Sequence, residues 1–244
     1  MPETRGARGR SFTLLTPENH YPSRLPSLPG ALVYKLVTPR LHPARLGQYL
    51  LDLPAQALSA SIPAGFENFF FGLEGSVHVH AGAESFAVAS RAFAYLPADI
   101  DFALECEAHT GARVLWIKRR YEPWPGLEAP AACAGSAAEV SAQDTATPGL
   151  RRRELLAHED PRFDFNMSLM AFRPGVSLPQ IEIHDEEHGL YLTAGDGVYL
   201  LDGEEHSVRE GDFIYMAPYC PQGFLAGPQG AEYLLYKDVY RDGF

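Results

Sequence analysis

The feature that most constrains this chain is an internal repeat. Gly75-Ser-Val-His-Val-His80, then Gly82, then Ala92-Phe-Ala-Tyr-Leu-Pro97, then Arg113-Val-Leu-Trp-Ile-Lys118 make up the first copy. Asp196-Gly-Val-Tyr-Leu-Leu201, Gly203, Phe213-Ile-Tyr-Met-Ala-Pro218 and Glu232-Tyr-Leu-Leu-Tyr-Lys237 make up the second. In both copies the turn glycine stands 15 residues before the proline, and the copies are offset by 121 residues, slipping to about 119 at the last strand. Each copy reads as strand, turn, strand, proline, strand. A pattern that recurs once in full describes two units that each close a core, more readily than one large sheet.

The units are built of β-strands. Twenty-two glycines and 20 prolines break the chain into short apolar runs such as Ala31–Val37, Phe69–Gly72, Ala92–Leu96 and Val114–Lys118. These runs are aromatic or β-branched and bounded by turn residues, as in antiparallel barrels and sandwiches, and no long 3.6-residue periodicity competes with them. The expectation is an all-β protein of two tandem barrels, residues 1–128 and 149–244. The small, polar stretch 129–148 is expected as a linker, with room for a short helix around Ala137–Gln143.

The net charge of −11 excludes a polyanion such as nucleic acid as the natural partner. Three scattered cysteines, Cys106, Cys133 and Cys220, suit a reducing compartment and not a disulfide scaffold. With no run of about 18 apolar residues for a membrane and no secretory signal, a cytoplasmic protein is expected, with Met1 to Arg10 as a frayed tail.

The second copy concentrates metal-binding side chains. Glu182, His184 and His188 share even parity, so on an extended strand they face one side, which in a barrel can be the inside. Gln222, four residues after Pro218, lies where a returning strand brings its amide to the same point. One carboxylate, two imidazoles and one amide suit a first-row divalent ion, Mn²⁺ or Fe²⁺ before Zn²⁺, with copper less suited. The bland alternative is a solvated acidic loop, since Asp185, Glu186 and Glu187 lie among them.

The spacing is similar to the cupin motifs. Metal-binding cupins carry G-x5-H-x-H-x3/4-E-x6-G and a second motif ending P-x-G-x2-H. Here Gly175 precedes Glu182-x-His184-x3-His188-x6-Gly195, and Gly211-x6-Pro218-x3-Gln222 follows. Glu and His exchange places and Gln replaces the last His, one residue early, yet all four positions keep a donor. The fold expected is therefore a bicupin, two double-stranded β-helix (jelly-roll) barrels. Shifted back by 121 residues, the four positions fall on Ser61, Pro63, Glu67 and Asp101, so the first barrel is expected to lack metal. His78 and His80 match Tyr199 and Leu201, past the ligand strand, and read as packing or surface residues.

Over nearly its whole length the chain resembles the (S)-ureidoglycine aminohydrolases. The carrying segments are Leu15-Thr-Pro-Glu-Asn-His20, Lys118-Arg-Arg-Tyr121, Asp164-Phe-Asn-Met167, Glu182-Ile-His-Asp-Glu-Glu-His-Gly189, Gly195-Asp-Gly-Val-Tyr199, Met216-Ala-Pro218 and Leu234-Leu-Tyr-Lys-Asp-Val239. The resemblance implies a Mn²⁺-dependent hydrolase of ureide catabolism that releases ammonia from (S)-ureidoglycine to give (S)-ureidoglycolate. It implies Glu182, His184, His188 and Gln222 as metal ligands, Tyr199, Tyr233 and Lys237 as substrate contacts, and a homo-oligomer as the assembly. An acidic substrate contact of the plant members has no counterpart in the divergent 129–148 region.

Lys237 shares its strand face with Tyr233 and Leu235, so Lys237 and Tyr233 are the candidate catalytic pair. A lysine facing a cation has its ammonium disfavoured and is suited to binding substrate oxygen or moving protons. The alternatives are a rim salt bridge with Asp238 or Asp212 for Lys237 and barrel packing for the tyrosines. Two other functions compete. Two histidines and a carboxylate also resemble the iron triad of a cupin dioxygenase, although Gln222 as a fourth ligand leaves fewer open positions. A ligand-binding bicupin without chemistry is the other, and the intact ligand set argues against it.

Overall fold

The computed structural model describes residues 4–55, 57–59, 64–106 and 110–239. The described residues are strands and turns, with one 3-10 turn at Pro17–Asn19. They fall into two compact units, one of Tyr21–Glu139 and one of Met1–His20 with Val140–Phe244.

In the first unit the sheet runs Cys133–Ser136, Ala92–Leu96, Phe66–Ala81, Ala112–Arg120, Leu46–Leu53, Leu32–Val37, Pro22–Ser23. Glu84–Ala89 and Phe102–Cys106 pair with the far half of Phe66–Ala81. The side chains of one strand face close the core: Tyr49, Leu51, Phe70, Val77, Val79, Phe102, Val114 and Trp116 are buried together. The expected linker is partly sheet. Cys133–Ser136 pairs with Ala92–Leu96, and Ala137 to Val140 is a turn, with no helix there.

In the second unit the order is Ala7–Arg8, Phe12–Leu15, Phe213–Met216, His188–Leu201, Gln222–Asp238, Phe165–Phe172, Leu150–Glu154, Gln143–Asp144, with Glu204–Arg209 hairpinned onto His188–Leu201. Residues 4–20, expected in the first barrel, thus belong to the second unit. Phe12–Leu15 pairs with Phe213–Met216 and covers that strand's open edge. From residue 4 on, the expected frayed tail is held too. Arg5 forks onto the fully buried Asp212 carboxylate, with Nη2 2.9 Å from Oδ1, and Ala7–Arg8 pairs back on Thr13 and Leu14.

Strand pairing fixes the register of the repeat. Asn68 lies across from Leu96 and Lys118, while His188 lies across from Met216 and Lys237. Phe102 lies across from Ala81, and Gln222 from Leu201. The offset is therefore 120 residues through most of the unit, not 121. Glycine position explains the slip. The turn after Ala81 has only Gly82 at positive φ (61°), whereas the turn after Leu201 has both Asp202 (52°) and Gly203 (86°). A type II′ turn needs positive φ at its first central residue alone and a type I′ turn at both, so the glycine sits one place later in the second copy. Gly75 and Gly195, at φ 68° and 75°, mark the same bend 120 apart, and a Cβ on either would strike a facing backbone carbonyl.

The counterparts of His188 and Gln222 in the first unit are thus Asn68 and Phe102, not Glu67 and Asp101. Ser61 and Pro63 lie outside the described residues. The Asn68 side chain accepts a hydrogen bond from Trp116 Nε1 at 3.0 Å, and Phe102 packs edge-on against Phe70 and Trp116. His78 and His80 alternate with the core residues Val77 and Val79 and so face outward, His80 touching Glu105 at 3.0 Å.

Candidate metal centre

The segment 173–187 leads into the strand His188–Leu201 without regular pairing of its own, and two backbone contacts set its end against the barrel. Glu182 N–H donates to the Gln222 carbonyl at 2.8 Å, and Gln222 N–H returns the bond at 3.0 Å. Tyr219 N–H then donates to the His184 carbonyl at 2.7 Å. This short extension of the wall has the strand alternation. Ile181 and Ile183 are more than half exposed, while Glu182 and His184 take the other side.

His184 is the centre of the group. Its Nε2 is 3.2 Å from the Gln222 amide nitrogen and 3.9 Å from a Glu182 carboxylate oxygen, and its ring centroid is 4.7 Å from that of His188. The structure thus brings Glu182, His184, His188 and Gln222 together. Among the described residues no group of three or more His, Cys, Asp or Glu side chains already surrounds one point. The donors are neighbours that must still close to roughly 2 Å of an ion.

The donor chemistry nevertheless fits a divalent ion. His188 is 5% exposed and its Nδ1 has no hydrogen-bond partner. Burial, with the neighbouring His184 adding to it, lowers the His188 pKa to about 3, so the ring is neutral and ready to ligate. The Gln222 carboxamide turns its nitrogen to His184 and its Oε1 to the Tyr199 hydroxyl, which donates at 3.3 Å. Ligation needs the oxygen on the His184 side. After that half-turn the tyrosine hydroxyl accepts from the amide instead, so it serves either orientation.

Tyr199 and Tyr233 are nearly fully buried on the inner wall. Burial holds both phenols well above the ordinary tyrosine range. The Glu182 carboxylate adds to this for both, after the Tyr233 hydroxyl in the case of Tyr199. Both therefore stay protonated on the inner wall. Lys237 lies across from His188 on the same wall, and its Nζ is 3.0 Å from Glu186 Oε1. The rim ion pair thus runs to Glu186, and not to Asp238 or Asp212.

Glu186, within the acidic run Asp185 to Glu187, also belongs to this group. It shares the even parity of Glu182, His184 and His188, and its other oxygen lies 2.9 Å from His184 Nδ1, without the alignment of a finished hydrogen bond. Burial works to raise its carboxyl, but the hydrogen bond and charge of Lys237 outweigh this and keep it below the usual range. Glu187, of odd parity, is buried on the other side of the wall and accepts from the Tyr215 hydroxyl at 3.0 Å.

No family model matches the chain. Individual relatives do. It is 34% identical over 241 residues to a probable (S)-ureidoglycine aminohydrolase of Oryza sativa subsp. japonica, covering 98% of this chain and 76% of the relative. It is 30% identical to the (S)-ureidoglycine aminohydrolase of Escherichia coli K12, covering 95% of this chain and 90% of the relative. Among solved structures, the E. coli protein Ylba superposes with a TM-score of 0.85 at 29% identity, covering 99% of this chain and 96% of that one. A Bacillus subtilis oxalate decarboxylase shares the fold, with a TM-score of 0.69 at 14% identity over 96% of this chain and 78% of that one. Two cupin-type barrels and identity of 30–34% spread over almost the whole length lead to one conclusion: the chain belongs to the (S)-ureidoglycine aminohydrolase family.

Proposed function

We propose that this protein is a manganese-dependent hydrolase that releases ammonia from (S)-ureidoglycine to give (S)-ureidoglycolate. The observation that carries the reading is the contrast between the two barrels. At equivalent wall positions one holds His188 and Gln222 beside Glu182 and His184, and the other holds Asn68 and Phe102 packed against aromatic rings. The relatives named for this reaction supply the substrate.

Glu182, His184, His188 and Gln222 would hold the ion. Bound there with one carboxylate ligand, a dication keeps net positive charge, polarises substrate oxygens and orients water. Lys237, at the mouth beside Glu186, offers its ammonium protons to the substrate carboxylate. Tyr199 and Tyr233 stay protonated and close the inner wall, limiting water around the α-carbon. The reaction proposed is elimination followed by addition. The α-ammonium leaves as ammonia while the ureido N–H gives its proton to solvent and the nitrogen forms a C=N bond; water then adds across that bond, its hydroxyl to the α-carbon and its proton to the nitrogen.

The test begins with metal analysis of the purified protein, followed by ammonia release from freshly generated ureidoglycine. Manganese-loaded protein that releases none removes the assignment. Labelled ammonia exchanging into substrate before net hydrolysis supports the elimination route, and direct displacement with inversion excludes it.

A further inference from the structure

One polar side chain on the inner wall has no task in the account above. Asn166 is 4% exposed, and neither its Oδ1 nor its Nδ2 has a hydrogen-bond partner. Its direction follows from register. Asn166, Ser168, Met170 and Phe172 lie across from Lys237, Leu235, Tyr233 and Ala231, and directly opposed residues of an antiparallel pair share a face. Phe172, Tyr233 and Ala231 belong to the core of this barrel, and Met170 and Leu235 pack against it. Asn166 therefore points inward, at the level of Lys237 and of His188 beyond it.

A buried carboxamide keeps both a donor and an acceptor, and a fold that leaves both unmet gains nothing from it over leucine. The group is accounted for by a ligand that offers an acceptor and a donor side by side. A carboxylate offers only acceptors and suits Lys237. The terminal carbamoyl of a ureido group, C(=O)NH2, offers both and pairs with a carboxamide through two hydrogen bonds.

We infer that Asn166 recognises the carbamoyl end of the substrate and is the residue that selects a ureido compound over other acylated amino acids. This rests on the ureidoglycine reading above. Asn166 takes no part in bond making, and it sets the orientation in which the α-carbon meets the metal side of the wall.

The experiment uses two stable probes on manganese-loaded protein. N-carbamoylglycine carries the terminal amide, and N-acetylglycine replaces its NH2 with a methyl group. Wild-type protein is expected to bind N-carbamoylglycine at least ~10-fold more tightly, the scale of an unmet hydrogen bond in a polar site. In Asn166→Leu and Asn166→Ala the two probes should bind within about 2-fold of each other, with manganese content unchanged and the thermal midpoint of the Leu variant no lower than wild type. A variant that keeps the discrimination overturns the inference. So does loss of the fold in both variants, which would make Asn166 a structural residue. Wild-type protein that releases ammonia from ureidoglycine but does not discriminate overturns this inference alone. Wild-type protein that neither releases ammonia nor binds either probe removes the ureidoglycine reading, and this inference with it.

Discussion

Asn68 and His188 occupy the same register point in two copies of one barrel, each directly across from a lysine, Lys118 or Lys237. What surrounds them differs. The Asn68 amide oxygen accepts from Trp116 Nε1 and its nitrogen donates to the Phe66 carbonyl at 3.3 Å, while Leu235 stands at the place beside His188 that corresponds to Trp116. His188→Asn should therefore not simply recreate the quiet first barrel. Manganese affinity should fall by ~100-fold or more, since loss of supporting groups alone costs 10–100-fold. The new amide would lack its indole partner and lower stability by roughly 1–3 kcal/mol. Metal analysis after dialysis and denaturant titration check the two parts separately.

The hydroxyl of Tyr199 donates to Gln222 at 3.3 Å. Tyr199→Phe keeps the packing against Phe224 but leaves the carboxamide free to choose its orientation. Manganese should bind about 10-fold more weakly, the lower end of the range for a group that orients a ligand. Folding should be nearly unchanged. Equal manganese affinity in variant and wild type would remove the orienting role and leave Tyr199 as wall packing.

Arg5 and Asp212 make a second kind of prediction, about the fold. The Asp212 carboxylate is fully buried, receives the Arg209 N–H at 2.9 Å, and relies on the Arg5 guanidinium for the rest of its partners. Arg5→Ala should lower stability by ~1.5–3 kcal/mol, as for a hydrogen bond to a charged group. In a unit of this size that shifts the thermal midpoint down by roughly 4 °C or more. A midpoint within about one degree of wild type would show the clasp to be dispensable.

The repeat and the grouping of Glu182, His184 and His188 are legible because both rest on short-range regularities, turn glycines and even spacing along a strand, whereas Gln222 enters only through its place after Pro218. The exact register is not legible, because aligning Gly82 with Gly203 hides a change of turn type, and only the strand pairs reveal the offset of 120. Phe12–Leu15 has its strand partner some 200 residues on, and no local pattern encodes so distant a pairing. Glu186 was concealed among neighbouring acids despite its parity. Asn166, an uncharged amide in an apolar run, gave no signal of chemistry until its burial and missing partners were visible.

Lys118 holds in the first unit the place that Lys237 holds in the second, and its surroundings make a prediction about pH. Its Nζ lies 4.9 Å from the Trp116 ring centroid and 5.5 Å from those of Tyr49 and Phe66. Burial lowers its pKa below the usual 10.5. Below the lowered value both folded and unfolded chains carry the proton, and the folded state bears the cost of a half-buried charge. Between the lowered value and 10.5 the unfolded chain binds more protons, so stability from this group rises with pH. Lys118→Met keeps the apolar stem and removes the charge. At pH 7 the variant gains from losing the buried charge and gives up only the ring contacts, and as pH rises toward 10 the wild type should recover ground against it. Thermal midpoints of both proteins at the two pH values measure this, because every other titrating group is common to the pair. A difference that stays constant with pH would mean that the Lys118 ammonium is as well solvated in the folded barrel as in the unfolded chain.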